Sequence, residues 1–256
     1  MKQIAGLPRR DFLAITGSLA GVIALAWIYL VAIATDMSMP GMSGMGAIPV
    51  WDASYFVMMF LMWAIMMVGM MLPSVIPTVL IYAAVARKSQ KQGMPAAPTA
   101  AFVSGYLLLW VLFSLVATGA QWGLGELALL SPMMVSSSSP LTAALLIIAG
   151  IYQWLPIKDH CLRQCQSPVE FISRHWVPGT TGALRMGIAH GAFCLGCCWA
   201  LMLLLFVGGV MNLIWIAGLG LFVLLEKVLP FGGVTGRSVG VLMILGGVVV
   251  AVIGLK

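Results

Sequence analysis

The chain has 256 residues, of which 62% are hydrophobic and only 8% charged, with 13 Lys+Arg against 7 Asp+Glu. An ordinary soluble domain carries about 25% charged residues, so this composition excludes a disordered chain and a disulfide-rich secreted module, and very nearly excludes a soluble α/β enzyme. The net charge of +6 would suit a nucleic-acid binder, but the placement of the basic residues gives it another meaning.

A helix needs about 20 apolar residues to cross the hydrocarbon core of a bilayer. Seven spans are predicted, at about 12–34, 54–83, 101–120, 135–155, 186–207, 212–229 and 238–255. The expected fold is all-α, a polytopic membrane helix bundle forming a single integral membrane domain over residues 1–256. Lys2, Arg9 and Arg10 precede the first span. Arg9-Arg10-Asp11-Phe12-Leu13 resembles a twin-arginine export signal, but it reads more simply as an uncleaved, positively charged anchor. After the first span comes Asp36-Met37-Ser38-Met39-Pro40-Gly41-Met42-Ser43-Gly44-Met45. Its Pro, Gly and Ser offer little core for Met to fill, and the segment resembles the Met-rich stretches with which periplasmic copper-handling proteins hold Cu(I). Met37, Met39, Met42 and Met45 are therefore candidate ligands.

The second span continues the methionines. Met59, Met62, Met66 and Met70 follow i, i+3, i+7, i+11 and form one stripe, which is either a packing surface or a ladder of thioethers. Pro73 and Pro77 are expected to break this span, as happens where helices line a cavity. Arg87, Lys88 and Lys91 follow it. The fourth predicted span is the weakest, because Ser136 to Ser139 and Pro140 occupy its first half. The loop after it, at 156–185, holds His160, Cys161, Cys165 and His175, a Cys-x3-Cys pair with flanking His in the loose spacing range of a zinc or copper site.

Within the fifth span, His190, Cys194, Cys197 and Cys198 join Met186 on an arc of about 120° at 100° per residue. One helix face thus carries an imidazole and three thiols, donors suited to Cu(I) or Zn(II). A straight helix cannot close them all on one ion, so a facing helix is expected to complete the shell. Cys also packs as a small hydrophobe, but three in five residues, in phase with a His, are hard to obtain from packing alone. Glu226 and Lys227 close the sixth span and read as an interfacial ion pair. The carboxylates do not pair as a general acid and base, and no Ser/His/Asp set or phosphate-cradling loop is present.

Lys and Arg favour cytoplasmic loops. With seven spans, 12 of the 13 basic residues fall on one side and Lys256 alone on the other. That implies an inside N-terminus and an outside C-terminus, in a multi-pass protein of the bacterial inner membrane. The basic charge is then a topology signal, the expected partner is the lipid bilayer, and no nucleic-acid partner is expected.

Four segments resemble a known family: Met70-Met71-Leu72-Pro73-Ser74, Tyr152-Gln153-Trp154-Leu155-Pro156-Ile157-Lys158, Cys161-Leu162-Arg163-Gln164-Cys165, and the run from His190 to Met202. The family comprises bacterial integral membrane proteins predicted to bind metal, some of them labelled copper chaperones. The resemblance covers spans two to six and implies metal binding through His190, Cys194, Cys197 and Cys198, with Cys161 and Cys165 as further candidates. Copper as Cu(I) is the expected cargo and zinc the second candidate. The expected role is transfer to, or metallation of, a partner such as a membrane metalloenzyme or a periplasmic copper protein. Two rivals stand beside this non-enzymatic reading. One is a membrane thiol oxidoreductase using Cys194 and Cys197; the other is a structural subunit of an oligomer or larger membrane complex.

Overall fold

The computed structural model describes residues 7–37, 51–131, 134–229 and 231–254. The described residues are mostly helical, with one isolated bridge, Leu130 to Ser136, and no strand among them. In chain order the helices are α1 (Arg9–Met37), α2 (Ala53–Lys91), α3 (Thr99–Glu126), α4 (Ser139–Tyr152), α5 (Pro156–Gln166), α6 (Pro168–His175), α7 (Gly179–Met202), α8 (Leu205–Gly208), α9 (Leu213–Val228) and α10 (Gly232–Gly254).

Among the described residues, five segments are long and apolar enough to cross a membrane: α1, α2, α3, α7 with α8, and α10. A sixth is obtained if α4 and α5, which meet at a bend of 65°, are counted as one span. The two segments that fall short of the seven predicted have local causes. Ser138 caps α4 by accepting from the Leu141 N–H, with Pro140 in the first turn, so the Ser/Pro cluster is a helix start and α4 has only 14 residues. Helix α9 starts at its own cap, Asn212, which accepts from Trp215 N–H at 3.1 Å, and has 16 residues. At 1.5 Å per residue it rises about 24 Å, short of a hydrocarbon core of roughly 30 Å.

The predicted break in the second span does not occur. Helix α2 runs for 39 residues straight through Pro73 and Pro77. In that stretch Ser74 and Tyr106 hydroxyls both donate to the Met71 carbonyl, at 2.9 and 3.2 Å. Each proline removes the hydrogen bond to the carbonyl four residues before it, at Gly69 and Pro73, and the helix continues through both.

Two glycine contacts set the packing around the site. Helices α3 and α7 approach so closely that a side chain on Gly187 would run into the Phe102 carbonyl, and one on Gly105 into the Leu184 carbonyl. Helices α4 and α10 meet in the same way at Gly150, Gly240 and Gly247. Small residues let backbones approach where burial supplies no water-driven force between helices. The consequence is that α7 is walled by α3 on one side and by α5 on another, and its polar face points into the bundle.

Candidate metal centre

All four donors of α7 are buried: His190 is 2% exposed and Cys194, Cys197 and Cys198 are each 1%. The thiols of Cys197 and Cys198 both donate to the Cys194 carbonyl at 3.0 Å, which ties them to one turn of the helix. The Cys194 sulfur reaches across the bundle instead. It lies 2.8 Å from Lys227 Nζ on α9 and 3.0 Å from the Tyr106 hydroxyl on α3. Lys227 also donates to Ser74 Oγ at 3.2 Å. An ammonium held against a sulfur inside a helix bundle is a charge-assisted contact and the natural countercharge for a thiolate.

The other thiols come from the segment predicted to be a cytoplasmic loop. Leu155, before Pro156, is extended, as residues preceding proline tend to be, and the chain turns there from α4 into α5. Helix α5 folds back against α7 and sets Cys165 beside both Cys194 and Cys197. Cys161 lies over Gly196, where a side chain would come within 2.7 Å of its sulfur. Two groups expected to lie apart thus form one. The expectation of a free inner loop is corrected for Cys161 and Cys165, because the bend at 153–156 carries them into the bundle.

The flanking imidazoles do not follow them. His160 is exposed, its ring 6.0 Å from Phe193. His175 is stacked on Phe171, with Nδ1 2.9 Å from that residue's own carbonyl oxygen. His190 is different: one turn from Cys194, it sits among Phe171, Tyr106 and Phe102 at ring distances of 4.9, 6.0 and 6.1 Å. Its Nδ1 is buried with no hydrogen-bond partner among the described residues. A buried ring nitrogen left without a partner is a donor atom in reserve.

Glu226 is not the interfacial ion expected of it. At 2% exposure it pairs with the equally buried Lys158 at 2.5 Å, and Lys158 also donates to Gln153. This pair joins α9 to the first turn of α5, and so fixes the helix that brings Cys165 in. Lys158 and Lys227 are functional candidates that charge counting treats as loop residues. Their signal in sequence is their place at the ends of apolar runs, where an ionisable group inside the membrane is a functional hypothesis by default.

The α2 stripe is buried along its length, with Met59, Met62, Met66 and Met70 at 3% exposure or less. Met70 packs against Gly220, and Met59 accepts from Gln121 Nε2 at 3.5 Å. Met37 ends α1, whereas Met39, Met42 and Met45 lie outside the described residues. Among the described residues, no three His, Cys, Asp or Glu side chains are set as they stand to hold a metal ion. The thiols of Cys197 and Cys198 are engaged with the Cys194 carbonyl.

Residues 60–250 match the sequence model of the PpoB2 family, described as copper chaperone. The chain belongs to that family. The match takes in α3 to α9 whole, with all five cysteines and both buried lysines, and leaves the Met37 to Met45 segment outside it. Membership in a copper chaperone family agrees with the copper-related, non-enzymatic role expected from the sequence. No curated protein and no solved structure matches the chain.

Proposed function

We propose that this protein is a multi-pass carrier of Cu(I) in the bacterial inner membrane, which passes the ion to a membrane metalloenzyme or a periplasmic copper protein. The observation that carries the reading is the meeting of Cys165 on α5 with Cys194 and Cys197 on α7, beside Lys227. Two separate helices share the thiols, so the donors come from more than one turn of a single helix.

Coordination chemistry favours Cu(I) over Zn(II) here. Zinc sites close with four donors in a tetrahedron, whereas Cu(I) is satisfied by two or three soft ones, and thiolates select it. Two thiolates and Cu(I) carry one negative charge, and Lys227 cancels it. That balance matters because a net charge in the bundle interior is costly. His190, one helical turn before Cys194, offers its buried Nδ1 as a fourth donor. The outer segment with Met37, Met39, Met42 and Met45 captures the ion, and the stripe of Met59, Met62, Met66 and Met70 leads it inward.

The test is metal analysis of protein purified without oxygen in reducing buffer. The wild-type protein is expected to hold about one equivalent of copper, and the Cys165→Ser/Cys194→Ser/Cys197→Ser variant less than a tenth of that. An unchanged stoichiometry in the variant sinks the proposal. A Cys194–Cys197 disulfide that turns over with quinone would put the thiol oxidoreductase in its place.

A further inference from the structure

A second group of sulfurs lies away from the thiols, at the end of the bundle where α2 begins and α3 finishes. The connection from α3 to α4 turns back across this end, held by Ser131 N–H to Val135 O at 2.8 Å and by Ser136 N–H to Phe206 O at 2.8 Å. That connection drives Met134 inward, to 7% exposure. Its sulfur accepts from Gln121 Nε2 at 3.1 Å, and Met59 of α2 accepts from the same nitrogen at 3.5 Å. Gln121 is 1% exposed, and its orientation is set by Trp63, whose Nε1–H donates to Oε1 at 2.6 Å.

Three features of this arrangement are poor choices for a packing core. A buried amide takes oxygen acceptors where it can, since thioether sulfur accepts only weakly; here both assigned acceptors of Gln121 Nε2 are sulfurs. A leucine at position 59 or 134 would fill the space without asking for a donor at all. Met134 moreover sits at φ +56°, in the left-handed region that side chains other than Gly, Asn and Asp seldom adopt. Strain of this kind is found where surrounding structure holds a residue for a purpose. The strained residue is the one that aims a thioether at the amide.

We propose that Met59 and Met134 form a second, thioether site for a soft monovalent cation, with the Gln121 amide as its plug. An N–H donor between two sulfurs occupies the place that a soft cation takes when it binds both lone pairs. A metal–sulfur bond is about 2.3 Å long, so the ion needs the amide to swing aside and each sulfur to move by about an ångström. Met is the side chain best able to make that adjustment. The inference rests on the reading of Cu(I) as cargo. It adds a site chemically distinct from the thiols: thioethers carry no charge, so they hold the ion weakly and release it readily. Such a site belongs at the mouth of the bundle, upstream of Cys194.

Silver(I), which shares these soft preferences and resists redox change, is the probe. The full chain in detergent is dialysed to equilibrium against a fixed concentration of free Ag(I), and its bound silver is counted. Met59→Leu/Met134→Leu is expected to hold one equivalent less than its parent, both in the wild-type background and in a background with all five cysteines replaced by Ser. Gln121→Met, which exchanges the plug for a third thioether, is expected to bind Ag(I) at least tenfold more tightly. An unchanged count on removing both methionines, or unchanged affinity in Gln121→Met, overturns the proposal. The two readings fail separately. Loss of the thiol site shows as an unchanged count when the cysteines are replaced, and loss of the thioether site as an unchanged count when the methionines are. Should the cysteine-free chain fail to fold, the comparison in the wild-type background decides alone.

Discussion

Lys227 sits where a cation is least expected, 2.8 Å from the sulfur proposed to hold Cu(I). Its value lies in the charge of the loaded state. With two thiolates and one Cu(I), the centre carries a single negative charge in surroundings that solvate it poorly, and the ammonium restores neutrality. A hydrogen bond to a charged group contributes about 1.5–3 kcal/mol, which is roughly 10–100-fold in affinity. Lys227→Met is therefore expected to weaken Cu(I) binding by one to two orders of magnitude in a competition titration, and Lys227→Arg to recover part of the loss. Equal affinity in Lys227→Met would remove the countercharge role. Cys165 allows a second check, because it alone of the three thiols comes from α5. Cys165→Ser is expected to keep the fold and lower affinity about tenfold, by leaving the pair on α7 to bind alone. At this scale the α7 face was fully legible: a period of 3.6 gathers His190, Cys194, Cys197 and Cys198 without help from tertiary structure. Lys227 was not, since periodicity says which residues share a helix face and nothing about which face lies opposite.

Helix α5 is short, carries polar residues on most of its turns, and still packs against the middle of α7. Burying such a helix requires that its charges be matched, and Lys158 with Glu226 does this at 2.5 Å. Removing one partner of a buried pair strands the other, at a cost of about 3–5 kcal/mol, whereas replacing both with apolar groups is often neutral. Glu226→Gln is accordingly expected to destabilise the protein by roughly 3 kcal/mol in thermal or denaturant unfolding. Lys158→Met/Glu226→Leu should recover most of it. If α5 is held by this pair, Glu226→Gln should also slow oxidative cross-linking of Cys165 to Cys194 or Cys197, a change that general destabilisation of other helices would not produce. From sequence, 156–185 reads as a loop because its mean hydropathy is low. Nothing local distinguishes a polar loop from a polar helix whose charges are answered by α9, which is why the two cysteine groups were expected to lie apart.

At the scale of the whole molecule, the number of crossings turns on the two short helices, and the ends of the chain bear on it. Asp11, in the first turn of α1, pairs with Arg87 near the end of α2. Gly254, at the end of α10, lies against Ser139 at the start of α4. Arg87 and Ser139 belong to opposite ends of the bundle, because α2 runs away from the mouth where Met59 and Met134 meet, while α4 begins at that mouth. The start of α1 and the end of α10 therefore lie at opposite ends of the bundle. Five segments, or six with the bent α4–α5 pair taken as one span, are long and apolar enough to cross among the described residues, and α9 would have to supply the seventh. Lys158 and Lys227 are buried against Glu226 and Cys194 and cannot count as loop charges. The positive-inside expectation then rests on the ten other basic residues that the sequence assigns to the inner side. A reporter active only outside the membrane is expected to give signal when fused after Lys256, and a reporter active only inside when fused before Met1. Signal from both ends on one face would mean six crossings. It would leave α9 or the α4–α5 pair as a re-entrant segment and turn the thioether mouth toward the wrong compartment for ions arriving from outside.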